Sequence, residues 1–201
     1  MTGGRRVEIS SQKRLFDDFF KIDEVIVSHQ QYDGRMSTDA RRLVFERGDA
    51  VAVLLFDSEA RSVVLVEQFK LPSLIGRRRD DPATMNGWIT ELVAGMIDAG
   101  ETAEEAIIRE TLEETGYRIR NPRLIGKFFS SPGGSSERVF LYFARVTVVQ
   151  KAEKGGGVAG EDIKVLHISV DGLFDRLAQG VIDDSKLAIA AYWLQNNIGR
   201  L

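Results

Sequence analysis

The sequence predicts a mixed α/β domain with a strand-rich segment ahead of it, and three observations lead there. Two near-continuous apolar runs, 50–56 and 62–69, flank the short stretch Asp57-Ser58-Glu59-Ala60-Arg61, the pattern of a hairpin whose strands are covered on both faces. The segment 102–115 has helical periodicity with specified ends. Strand-like and helix-like segments then alternate to the end of the chain. At 201 residues and 22.4 kDa the chain is long enough for one full-sized core with an appendage.

In order, residues 1–50 carry alternating or apolar stretches at 7–10, 15–27 and 43–45, broken by Tyr32-Asp33-Gly34, and read as several strands. The expected division is an N-terminal strand region over 1–45 and the main domain over 46–201. After the hairpin, 71–88 contains Gly76, Arg77-Arg78-Arg79, Asp80, Asp81, Pro82 and Gly87 without periodicity and reads as a surface insertion whose charges neutralise one another. For the helix at 102–115, Thr102 is the predicted N-cap, Glu105 completes a capping box, and Gly116 is the left-handed C-terminal cap. Residues 123–130 and 138–149 return to strand character around Ser131-Pro132-Gly133-Gly134. Gly155-Gly156-Gly157 then reads as a hinge before a strand at 163–169. Two helices are predicted at 171–179 and 185–197, the second capped by Asp184 or Ser185 and stopped by Gly199.

Composition excludes several functions. Lys plus Arg 27 against Asp plus Glu 30 gives a net charge of -3, so no global basic field is available to hold nucleic acid. No window approaches the ~18 consecutive apolar residues of a membrane helix. Zero cysteines exclude disulfides, thiolate catalysis and sulfur-ligated metal centres. The basic N-terminal residues have no apolar run behind them, so a secretory signal is not expected and the cytoplasm is the predicted location. His29 and His167 are isolated, and Trp88 and Trp193 read as packing residues.

The most informative segment is 95–117, GMIDAGETAEEAIIRETLEETGY, in which six glutamates fall among the fourteen residues 101–114. At about 100° per residue, Glu114 lies about 40° from Glu110, and Glu113 about 60° to the other side, so three carboxylates share one face. Like charges at this spacing repel unless a cation sits among them. Oxygen donors without thiolate or a histidine cluster favour Mg2+, or Mn2+ as a substitute, and Mg2+ commonly shares its remaining positions with phosphates. The bland alternative is a solvated helix in which Arg109 pairs with Glu105 and Glu113 at i,i+4. Composition alone leaves both open.

The spacing separates them. Gly95, five residues, Glu101, seven residues, Arg109-Glu110, two residues, Glu113-Glu114, one residue and Gly116 resembles the Nudix box. Thr111 departs from it, standing where the family usually has a bulky aliphatic residue. The resemblance implies an α/β/α sandwich with a mixed sheet and hydrolysis of a nucleoside diphosphate linked to another group. It also implies that Glu110, Glu113 and Glu114 are metal ligands, that Glu101 matches the first box glutamate and that Arg109 orients carboxylates.

Outer segments between about 42 and 197 resemble the branch holding ADP-ribose pyrophosphatases and GDP-mannose hydrolases. They include Phe45-Glu46-Arg47-Gly48, Glu67-Gln68-Phe69, Glu91-Leu92-Val93-Ala94-Gly95 and Ser131-Pro132-Gly133-Gly134-Ser135-Ser136-Glu137. By that resemblance the Ala94 carbonyl joins the metal ligands and Glu161 closes on them from a loop. Ala159 stands where the branch often has a second glutamate, leaving Glu161, Asp162 or a box glutamate to act on the water. Arg47, Lys70, Glu137 and Arg138 are candidate substrate contacts, Lys70 replacing the usual arginine and losing its bidentate fork.

The expected activity is Mg2+-dependent cleavage of ADP-ribose to AMP and ribose 5-phosphate, with Glu113, Glu114, Arg109 and Glu161 as the catalytic set. Pro132, fifteen residues after Tyr117, favours ADP-ribose, whereas the glycine run before Glu161 looks more like the GDP-mannose side, where the products are GMP and mannose 1-phosphate. A non-catalytic nucleotide sensor is the rival from another class. The resemblance also implies a homodimer joined through N-terminal strands.

Overall fold

The computed structural model describes residues 4–77, 86–147, 154–158 and 160–201. The charged run 78–81, the end of the strand predicted at 138–149, and Ala159 lie outside them. Compactness divides the chain into two units, Met1–Asp49 with Phe128–Arg138 and Ala50–Lys127 with Val139–Leu201.

In the first unit, β1 (Val7–Asp17), β2 (Lys21–His29) and β3 (Ala40–Glu46) form an antiparallel sheet in that order. The stretch expected to run unbroken over 15–27 is interrupted at 18–20, where the Asp18 side chain accepts a hydrogen bond from the Phe19 amide at 2.7 Å and the chain reverses. An aspartate reversal overrides the apolar run.

The second unit is built on β4 (Ala50–Asp57) and β5 (Ser62–Phe69), the predicted hairpin. Asp57 shapes its turn by accepting from the amides of Glu59 and Ala60, each at 2.9 Å. The remaining strands are β6 (Trp88–Glu91), β7 (Val93–Met96), β8 (Arg123–Phe129), β9 (Arg138–Arg145) and β10 (Lys164–Ser169). The sheet order is β10-β5-β4-β9-β8, with β6 on β5 and β7 on β4. β4 and β9 run parallel while β4–β5, β5–β10, β5–β6 and β4–β7 are antiparallel, so the sheet is mixed. β4 and β5 pair only from Leu55↔Val64 to Asp57↔Ser62, after which they part and β6 and β7 fill the gap.

Four helices accompany the strands: α1 (Leu71–Arg77), α2 (Ala103–Thr115), α3 (Val170–Ala178) and α4 (Ser185–Asn197). Ala106 and Ile107 of α2 pack with Val51, Val53, Val64 and Val66. Strand alternation turns Leu54 and Leu65 to the opposite face. Leu65 meets Leu173 of α3 and Leu187 of α4 there, and Phe143, paired with Leu54, packs on Trp193 of α4 with ring centroids 5.1 Å apart. The sheet thus sits between α2 and the α3/α4 pair, the expected α/β arrangement.

Two expectations change. The segment 71–88 is not featureless, since α1 occupies its start and β6 begins at Trp88. Gly199 does not stop the chain's last helix cleanly, because a 3-10 turn at Ile198–Arg200 follows α4. Asp184 is the α4 cap, accepting from the Leu187 amide at 3.0 Å.

Candidate active site

The site is assembled from α2 and the strand turn beneath it. The capping box of α2 forms as predicted: the Thr102 hydroxyl accepts from the Glu105 amide at 3.2 Å, and the Glu105 carboxylate accepts from the Thr102 amide at 2.9 Å. Gly116 closes the other end at φ 76°. Thr111 is fully buried, and its hydroxyl donates to the Ile107 carbonyl at 2.6 Å, so the helix itself satisfies the polar atom at the position that departs from the family pattern.

Gly95 lets this helix approach the strand. A Cβ at that position would lie 1.9 Å from Glu110 Oε1, so any side chain would displace the carboxylate. One residue earlier, the Ala94 amide donates to Glu114 Oε2 at 3.4 Å, which puts the Ala94 peptide beside the buried end of the acidic face.

Arg109 organises the more exposed end. Its Nε and Nη2 donate to the two Glu101 oxygens at 3.0 and 2.9 Å, and its Nη1 donates to Glu110 at 2.7 Å and Glu113 at 3.2 Å. Nη2 also reaches the Met96 carbonyl at 3.2 Å. The fork holds Glu101 well below the usual carboxylate range, chiefly by hydrogen bonding, and the guanidinium is itself pushed up.

Deeper in, burial dominates. Glu110 is shifted up by desolvation, with the charges of Glu113 and Glu161 adding to the effect in spite of Arg109. Glu114, only 4% exposed, is pushed up to about 9 by burial first and then by the nearby charges of Glu110 and Glu91. Both shifts are what burial of neighbouring carboxyls without a counter-ion produces. Among the described residues no three acidic or histidine side chains converge as a finished ion site, because Arg109 engages Glu110 and Glu113. The donor set nevertheless fits a hard divalent cation: several carboxylates and a peptide carbonyl, all oxygen, with Glu114 buried among them.

The glycine run is a clamp rather than a hinge. The amides of Gly156 and Gly157 donate to the carbonyls of Glu114 and Glu113 at 2.8 and 3.0 Å, closing the last turn of α2. Gly155, at φ 68°, lies so close to the helix end that a Cβ would sit 2.4 Å from the Thr115 carbonyl carbon. This attachment brings Glu161 near enough to raise Glu110, while Glu161 Oε2 accepts from the Val158 amide at 3.0 Å. Asp162 lines an open groove with Glu67, Asn86, Trp88 and Lys164. Trp88, expected only to pack, also sets its ring edge against Phe69.

The proposed substrate contacts fall in different places. Lys70 turns its ammonium to Glu91 at 3.5 Å, within the second unit. Arg47, Glu137 and Arg138 belong to the first unit. Arg47 lies 3.3 Å from Glu137, an ion pair without a directed hydrogen bond at Nε, and its guanidinium lies 5.8 Å from the Phe20 ring centre. Arg138 forks onto Asp49 with contacts of 2.9 and 2.5 Å.

Sequence reasoning quoted Glu91 within a motif and gave it no role. It is 6% exposed and holds Gln68 at 3.1 Å, Lys70 and Lys186. A lone acidic residue at the end of an otherwise uncharged strand, Trp-Ile-Thr-Glu, is the signal that marks it.

The NUDIX domain model matches residues 46–186, which span all of this geometry. The chain belongs to the NUDIX family. Among its relatives, the ADP-ribose pyrophosphatase of Escherichia coli K12 is 34% identical over 198 residues, covering 96% of this chain and 90% of that protein. The GDP-mannose pyrophosphatase of Cronobacter sakazakii is 33% identical over 189 residues, covering 94% and 95%. A crystal structure of an ADP compounds hydrolase shares the fold over the whole of both chains, with a TM-score of 0.69 at 17% identity. In this NUDIX chain the residues that resemble the box run from Gly95 on β7 through Glu101 in the following loop to α2 and its cap Gly116, with Thr111 departing from the pattern.

Proposed function

We propose that this protein hydrolyses the pyrophosphate bond of a nucleoside diphosphate sugar, with ADP-ribose, giving AMP and ribose 5-phosphate, as the leading substrate. The observation that carries the reading is the buried, repelling carboxylate face of α2 against the Ala94 peptide, an arrangement that a divalent cation offsets. Relatives named for ADP-ribose and for GDP-mannose cleavage match at almost equal identity. GDP-mannose is therefore the second reading, favoured by the resemblance of the segment Gly155-Gly156-Gly157-Val158 and Glu161-Asp162-Ile163.

Glu110, Glu113, Glu114, the Ala94 carbonyl and Glu161 would hold Mg2+, or Mn2+ in its place. The ion supplies charge neutralisation of the diphosphate and an acidified water. Arg109 gathers Glu101, Glu110 and Glu113 on one side of α2, and uptake of the ion would require it to release Glu110 and Glu113 while keeping its fork on Glu101. Glu161, on its tethered loop, is the carboxylate we assign to the attacking water's proton, with Asp162 beside it. Arg47, Lys70, Glu137 and Arg138 are assigned to the phosphates and sugar. We assign residues 46–201 as the hydrolase domain and the 1–45 strand region to homodimer formation, supported by the exposed apolar residues Val7, Ile9, Phe16 and Phe19 along β1 and its turn. Among the described residues no helix is long and apolar enough to cross a membrane. The cytoplasm and freedom from membrane and nucleic acid are part of the same proposal.

Product release from ADP-ribose, GDP-mannose and other nucleotide sugars, each with Mg2+ and with EDTA, tests the reading. Mg2+-dependent turnover of ADP-ribose above the rest is expected. Preferred turnover of GDP-mannose moves the assignment to the second reading, and tight Mg2+-dependent binding with no turnover of any substrate replaces it by the sensor.

A further inference from the structure

Lys186 is half-buried, in a place where a lysine rarely sits unless paired. It lies in the first turn of α4 with its side chain 21% exposed, its ammonium 2.6 Å from Asp184 and 3.4 Å from Glu91. Asp184 belongs to the same helix as its N-cap. Glu91 does not. It ends β6, opposite Val66, whose side chain packs with Ile107 of α2 on the other face of the sheet. An ammonium anchored in one helical layer thus reaches a carboxylate that lies with the other. Glu91-Leu92-Val93 is the crossover from β6 on β5 to β7 on β4, in the region where β4 and β5 have parted beyond Leu55↔Val64.

Glu91 is held from every side. Gln68 and Lys70 approach Oε1 at 3.1 and 3.5 Å, and Lys186 approaches Oε2 at 3.4 Å. Lys70 is exposed and Gln68 is uncharged, so Lys186 is the less exposed of the two positive charges in this group. Three residues after Glu91, across the crossover it begins, the Ala94 amide donates to Glu114 Oε2 at 3.4 Å, so the strand turn that Glu91 anchors ends on the buried carboxyl of α2. A buried ion pair is a poor device for stability, since apolar residues of similar volume often do as well or better. The geometry points instead to orientation, the part played by groups behind metal-ligating carboxylates.

We propose that Lys186 is a positioning residue of the hydrolytic site: through Glu91 it holds the buried end of the acidic α2 face in the arrangement that takes the divalent ion. This rests on the metal-dependent reading above. It also gives the start of α4 a direct mechanical connection to the chemistry through a single pair of side chains.

The test is titration of the metal-free protein with Mn2+, following the free-ion spin-resonance signal, for the parent, Lys186→Met and Lys186→Arg, together with kcat and KM in Mg2+. Lys186→Met is expected to weaken Mn2+ binding about tenfold or more and to lower kcat with little change in KM. Lys186→Arg should return Mn2+ affinity to within about threefold of the parent, because it keeps the charge and a donor. If Lys186→Met fails to fold by circular dichroism, Glu91→Gln, which keeps the shape of the side chain, is expected to weaken Mn2+ to a similar extent. Parent-like Mn2+ affinity in a folded Lys186→Met, or in Glu91→Gln where the former is unfolded, overturns the positioning role and leaves the metal reading standing. A parent that binds no Mn2+ overturns both.

Discussion

The two units differ in which departure from the ordinary rule of burial is gathered at one place. The second gathers buried charge, with Glu91, Glu114 and Asp184 each no more than 6% exposed, whereas Asp23, equally buried in the first, is forked by Arg14. The first displays apolar surface, with Phe19 75% and Val7 and Ile9 about 60% exposed. Each departure is unfavourable in an isolated chain, and each has a different remedy. Buried carboxylates are relieved by cations, whether Lys186, Arg109 or a metal ion, while exposed aromatic and aliphatic side chains are relieved by another apolar surface. Under the function proposed above, the residues that look misplaced by a core-and-surface criterion are those assigned to the metal site and to association.

The largest effect that would sharpen the contrast is expected for Glu114→Gln. It keeps the side chain's shape and removes the most deeply buried carboxyl of the acidic face, which could then no longer ionise to take the metal, so Mg2+-dependent hydrolysis should fall by about a thousandfold or more; turnover near the parent rate would remove Glu114 from the metal set. Glu161→Gln should lower kcat by about a hundredfold while substrate binding changes much less, as measured by kcat alongside ligand titration, because the loop carboxylate acts on the reacting water.

The third expectation concerns pH. Glu114 holds its proton up to about pH 9 when folded, whereas the unfolded chain releases it in the ordinary carboxylate range. Between those values the unfolded state binds fewer protons, so stability from this group is full at low pH and declines as pH rises. Glu101 is shifted the other way and is ionised in both states through neutral pH, so it is silent in this window. Thermal melting of metal-free protein from pH 6 to 8.5 should show a falling midpoint. Mg2+ should raise that midpoint more at pH 8.5 than at pH 6 and displace roughly one proton at neutral pH, a release absent from Glu114→Gln. A flat profile in both conditions would place the buried charge elsewhere.

The smallest effect on chemistry, though not on assembly, is expected on the other side of the comparison. Phe19→Asp introduces a charge at an exposed apolar site where the isolated fold has little to lose. Light scattering or sedimentation should show a dimer for the parent and a shift toward monomer for the variant, with melting changed by less than about 1 kcal/mol of stability. A variant that stays dimeric would detach the exposed face of β1 from association.

Much of α2 was legible from the sequence because its determinants are local: Thr102 and Glu105 lie three residues apart, and the carboxylates repeat at one-turn spacing. The β4–β5 hairpin was legible for the same reason. Glu91 and Lys186 are separated by 95 positions and by the thickness of a sheet, and no periodicity connects them. The break at 18–20 was hidden because apolar residues stand on both sides of Asp18, so hydrophobicity alone continued through a turn made by one side chain. α1 is too short for its pattern to stand out in a segment rich in Gly, Arg and Pro. The glycine run was read by composition, where its conformational freedom suggests motion; its neighbours, known only after folding, convert that freedom into close contact with a helix end.

That contact has a spectroscopic consequence. The Gly156 and Gly157 amide protons are bound to the peptide oxygens of Glu114 and Glu113, the residues whose side chains form the acidic face. Glycine amides resonate apart from most others in a nitrogen–proton correlation spectrum, so once assigned these two report on the end of the acidic helix α2. Their exchange with deuterium reads the opening of that helix end directly, without label or substrate, and comparing it with and without Mg2+ measures how firmly an ion holds the loop and the helix in register.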